Sequence, residues 1–191
     1  MILPGLVLLV LVIQDAVPLG ELTRDPLAVS GGKVHFGALS NVGIILWTAT
    51  SAICLFAAPL AREQGGKETT FFLAYGGILT AILGLDDLFM VHEHLWPFVI
   101  GLPEIVLILI YGFLTCFYLS YFWKQIRSND ALLLAISLLF FAVSVISDVA
   151  FDSDLHKWAR LGDDGAKFIG ISAWAVFHID VARQVFIDQR E

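Results

Sequence analysis

Residues 70–97 read TFFLAYGGILTAILGLDDLFMVHEHLWP. The stretch from Thr70 to Leu85 carries no charge, and the nine residues that follow hold five ionisable groups: Asp86, Asp87, His92, Glu93 and His94. An uncharged run of this kind suits a helix that crosses a hydrocarbon layer, which takes about 20 apolar residues. Charges at the end of such a helix are costly to place and are usually kept for function. The stretch reads as a membrane-spanning helix that closes on a chemical site.

Working outward, the apolar pattern recurs. The segments run Ile2–Leu19, Gly37–Leu60, Thr70–His92, Pro103–Trp123, Asp130–Phe151 and Asp164–Ile187. The 191 residues are 58% hydrophobic and 15% charged, whereas soluble domains carry about 25% charge. Mean hydropathy is +0.83. The expectation is all-α: one integral membrane helical bundle over residues 1–191, with about six transmembrane helices in a bacterial-type plasma membrane. Lipids are its expected surroundings, and its Phe- and Leu-rich faces suit a protein partner or a second copy equally. A net charge of −7 argues against nucleic acid, whose binding requires basic patches. Cys54 and Cys116 both lie in apolar runs and read as small core residues rather than a disulfide or a metal pair.

The first segment is the weakest. Its uninterrupted part, Ile2 to Ile13, covers only about 18 Å as a helix. To span, it must continue through Gln14, Asp15 and Pro18. It lacks the basic start and small-residue cleavage site of a signal peptide, so a retained helix is expected. Residues 20–36 read as the longest loop, and residues 61–69 and 124–129 as short polar linkers.

With six spans, Arg62, Lys67, Lys124, Arg127, Arg183 and Arg190 share one side, which the preference of basic residues for the cytoplasm makes the inner one. Both termini are then cytoplasmic. The acids Asp86, Asp87, Glu93, Glu104, Asp148, Asp152, Asp154, Asp163 and Asp164 fall on the outer side with His35, His92, His94 and His156.

At about 100° per residue, Asp86, Asp87, Met90, Glu93 and His94 share roughly a third of a helix circumference. If the third helix continues through His94, these acids and His94 form two stacked layers. If it ends near Val91, His92 and Glu93 are free to fold back over the acids. On the fifth helix Ser144, Asp148, Asp152 and His156 recur every four residues, a single line along one face. Carboxylates and imidazoles so placed suit Zn²⁺, and less well Mn²⁺ or Fe²⁺. On the sixth helix Asp163 reads as an N-cap, and Asp164 is placed to pair with Lys167 at i, i+3 or to join the site. Lys167 is also a candidate counter-charge to the acids, and Glu104 after Pro103 suits a helix start. His178, far down the sixth helix, reads as a satisfied core residue.

Asp86, Phe89, His94 and Trp96 align with Asp148, Phe151, His156 and Trp158 at a constant offset of 62. Helices three and four would then repeat in five and six. The metal-ligand candidates are Asp86, His92, His94, Asp148, Asp152, His156 and Asp164, with Glu93 or Asp87 as general base. A bound divalent metal would activate water, which gives a metal-dependent hydrolase of lipid or amphiphilic substrates as the leading expectation. A cation or proton transporter or sensor is the alternative, and an accessory subunit of a larger membrane complex the third. A proton path is disfavoured by the scarcity of polar groups between the two faces.

Overall fold

A computed structural model of the chain describes residues 2–150 and 157–188. The described residues are helical or irregular, with no strand among them. The chain divides into two compact units, Met1–Ala38 and Leu39–Glu191.

In the first unit α1 (Ile2–Ile13) stops where the apolar run stops. It does not continue through Gln14, Asp15 and Pro18, which corrects the expected span. Instead the Gln14 side chain turns the chain, donating to Val17 O at 2.8 Å and accepting from Val17 N at 3.0 Å. The expected loop over residues 20–36 holds two short helices, α2 (Leu19–Thr23) and α3 (Pro26–Ser30). Asp25 caps α3 by accepting from Leu27 N and Ala28 N, and Pro26 opens it with a φ already suited to a helix.

The second unit is a helical bundle. α4 (Ala38–Glu63), α5 (Lys67–Phe89), α7 (Glu104–Tyr121) and residues 162–187 of α10 (Lys157–Asp188) are each long and apolar enough to cross a membrane. α9 (Ala131–Ala150) contributes a shorter described apolar stretch, Ala131–Ser147. Short helices α6 (Trp96–Ile100) and α8 (Trp123–Arg127) lie at turns. Of the six expected crossings, four meet the length among the described residues. α10 begins at Lys157 rather than Asp164, so Asp163 sits inside the helix; the expected N-cap role is overturned, and its carboxylate accepts from Ser144 Oγ on α9 at 2.6 Å.

The core is aromatic. Trp47 stacks on Phe141, and Trp174 lies edge-on to Trp47. Phe72, Tyr118 and His178 stack further along. Cys54 belongs to this core, but Cys116 is exposed on α7, a correction to its expected burial. Close approach of α4 to α5 depends on Gly84: a Cβ there would lie 2.8 Å from Trp47 Cβ.

His178 is fully buried. Its Nδ1–H donates to Trp174 O at 2.9 Å, which leaves Nε2 to accept from the Tyr118 hydroxyl at 3.0 Å. Trp174 Nε1 donates to Thr80 Oγ1 at 2.9 Å, and Thr80 donates to Gly76 O at 2.6 Å. His178 is a satisfied core histidine, as the sequence indicates.

Candidate functional site

α5 ends at Phe89, one residue before Met90, which adopts the left-handed conformation (φ 49°, ψ 48°) and donates its N–H to Asp86 O. A non-glycine residue there costs on the order of 1–3 kcal/mol and persists when its surroundings over-determine it. Asp86 supplies that constraint. Its Oδ1 accepts from the backbone N–H of His92 at 2.9 Å and from the Tyr111 hydroxyl of α7 at 2.9 Å. Its Oδ2 meets His92 Nδ1 in a short contact. Residues Val91–Leu95 wind as a single π-helical turn, which folds His92 back over the end of α5. The second of the two sequence arrangements is therefore the one adopted.

His92 is 17% exposed at the side chain and Asp86 6%. The ring's hydrogen bond to Asp86 raises the His92 pKa above the ordinary imidazole value. Burial opposes that rise, the charges of Asp86 and Glu93 add to it, and Lys167 reduces it. The outward nitrogen, Nε2, lies 3.6 Å from Glu93 Oε1, and Glu93 Oε2 lies 3.7 Å from His94 Nδ1. Glu93 is half-exposed and His94 largely exposed.

Asp87 takes a separate route. Its Oδ1 pairs with Lys167 Nζ of α10 at 2.5 Å, and its Oδ2 accepts from Trp47 Nε1 of α4 at 2.9 Å. Lys167 is thus the counter-charge anticipated from sequence, reaching across to α5. Adjacent carboxylates serve two networks: Asp86 ties α5 to its π-turn and α7, while Asp87 ties α5 to α4 and α10. Each of their four oxygens has a partner.

Of the candidate residues, Asp86 and His92 meet directly, with Glu93 and His94 beside them. Asp164 is exposed on α10. Asp148 lies on α9, but its side chain falls outside the described residues, as do Asp152, Asp154 and His156 altogether. The second half of the 62-residue repeat is therefore mostly outside them too. Among the described residues, no group of three or more His, Cys, Asp or Glu side chains is placed to hold a metal ion.

Tyr111 and Trp47 are the site residues that sequence reasoning missed. Tyr111 sits about two helical turns inside an apolar run, and it carries the first hydroxyl after Glu104. Trp47 resembles any core tryptophan in sequence, and only α4–α5 packing discloses its role.

No curated protein and no solved structure matches the chain. A family model described as "Domain of unknown function (DUF8692)" matches residues 1–181, and the chain belongs to that family.

Proposed function

We propose that this is an integral membrane protein that responds to protons at one membrane face through the Asp86–His92 couple. The observation that carries the reading is the double hold of Asp86 on His92, through backbone and ring, with Nε2 left on the outward side. Histidine is the side chain whose charge changes most readily near neutral pH. Here that change acts on the contact that folds the π-turn onto α5, so protonation and turn geometry are coupled. Loss of the proton removes the charge assistance from the His92–Asp86 contact and loosens the turn. By the Lys and Arg count of the linkers between these helices, the responding face is the extracytoplasmic one.

A sensing role fits better than transport. The buried Tyr118–His178–Trp174–Thr80 chain ends on backbone carbonyls and includes an indole N–H, which donates but has no lone pair to receive a proton. Hydrogen exchange of residues 90–100 in lipid nanodiscs tests the reading, from about pH 5.5 to about pH 8.5, a range that brackets ordinary histidine titration. After correction for intrinsic rates, protection should fall with rising pH in the wild type and lose that dependence in His92→Gln. Identical pH responses in the two proteins would overturn it.

A metal-dependent hydrolase acting on lipids or amphiphiles is the second reading. A carboxylate-oriented imidazole is also the usual arrangement beside a bound divalent ion, and Zn²⁺ is the ion this donor set favours. Stoichiometric metal in the purified protein, lost in His92→Gln, would support that reading over proton response.

A further inference from the structure

From the last residue of the π-turn towards α7 runs Leu95-Trp96-Pro97-Phe98-Val99-Ile100-Gly101-Leu102, eight residues without a charge. Phe98 is 88% exposed, Val99 63% and Ile100 52%. A loop in water is normally polar, because exposed apolar side chains of this size are held out of their preferred surroundings. At five residues α6 covers about 7.5 Å and cannot cross a bilayer.

Its neighbours favour a lipid covering. The segment joins α5 to α7, both long and apolar enough to span. The exposed apolar side chains Leu88 and Phe89 at the end of α5, and Ile105 and Leu109 at the start of α7, continue the same surface on either side. Two hydrogen bonds close its ends: Leu95 N–H donates to Met90 O and Gly101 N–H to Pro97 O. Such closure lowers the cost of leaving bulk water, where unpaired backbone groups would otherwise be hydrated. Trp96 at the junction is half-buried, and its Nε1 is turned in from the surface without a partner among the described residues. Protein interfaces carry a polar rim, and these eight side chains provide no charged or hydrogen-bonding group other than the Trp96 indole.

We infer that residues 95–102 form an interfacial membrane cap, seated among phospholipids at the boundary of headgroups and acyl chains beside the Asp86–His92 couple. The segment is lipid-embedded rather than a water-exposed loop or a docking face for another copy.

The test uses the full chain in phosphatidylcholine–phosphatidylglycerol vesicles, with Cys54→Ala and Cys116→Ser as the background. Nitroxide labels at Phe98→Cys and Val99→Cys are compared with Phe113→Cys, exposed mid-way along α7, and Ser128→Cys, in a polar turn. The ratio of oxygen to nickel-chelate accessibility should be several-fold higher at 98 and 99 than at 128, approaching that at 113. A ratio equal to that at 128 would overturn the inference in favour of an aqueous loop. Low accessibility to both reagents with spin–spin broadening would overturn it in favour of a second copy. Brominated lipids provide a check without cysteines: wild-type fluorescence should be quenched more than that of Trp96→Phe, and equal quenching would contradict the placement.

Discussion

Asp86 holds His92 at two points, the backbone N–H at 2.9 Å and the ring through Nδ1, and so fixes the turn that ends α5. Hydrogen bonds to charged groups contribute about 1.5–3 kcal/mol, and neutral ones about 1 kcal/mol. Asp86→Asn should therefore destabilise the bundle by about 1.5–3 kcal/mol, and Tyr111→Phe by about 1 kcal/mol. Denaturant titration in mild detergent reads both. A larger loss for Tyr111→Phe than for Asp86→Asn would mean that the hydroxyl, not the imidazole, is the important partner.

The pH dependence has a definite sign. Contact with Asp86 raises the His92 pKa in the folded protein, while the unfolded chain titrates near about 6.5. Folding therefore takes up a proton between those two values. The stabilisation by the couple is fully present below about pH 6.5 and is lost as pH climbs through the higher folded value. The unfolding midpoint should fall over that window in the wild type and flatten in His92→Gln.

Lys167 and Asp87 form the second tie. Lys167→Met leaves Asp87, 10% exposed at the side chain, with Trp47 as its hydrogen-bond partner. Breaking a fully buried pair costs about 3–5 kcal/mol. The loss should be smaller here, because 38% of the Lys167 side chain is exposed. Adding Asp87→Asn to Lys167→Met should recover part of it. A double variant no more stable than Lys167→Met alone would show that the charge pairing is not what matters.

Gly84 tests the packing beneath the site. Gly84→Ala places a methyl 2.8 Å from Trp47 Cβ, a contact relieved by moving α4 and α5 apart. Overpacking of this kind costs about 1–3 kcal/mol. The shift should also disturb the Trp47–Asp87 hydrogen bond, read as a change in tryptophan emission that is absent from Gly112→Ala, where the added methyl meets open space.

The helical character and the position of the polar cluster were legible in the sequence, because an uncharged run of membrane-crossing length that ends in Asp86, Asp87 and His92 is visible in composition alone. The capture of His92 by Asp86 was legible as one of two alternatives. What decided between them is the left-handed Met90, a residue whose type gives no sign of that conformation. Helix starts were harder: Asp163 looks like a cap, yet α10 begins earlier, and the carboxylate serves Ser144 instead. The roles of Trp47 and Tyr111 depend on which helix faces meet, information that no single segment contains. Lys167 lay between these cases, since a cation at the edge of an apolar run demands an acid but does not say which one.

The most direct measurement is a ¹⁵N-resolved titration of the His92 ring in nanodiscs, in the wild type and in Asp86→Asn. The expected result is a pKa above the ordinary histidine value in the wild type and a clear fall in the variant, with the Nδ1 signal reporting a hydrogen-bonded imidazolium at low pH. Superimposable curves for the two proteins, both at the ordinary value, would contradict a proton-responsive Asp86–His92 couple.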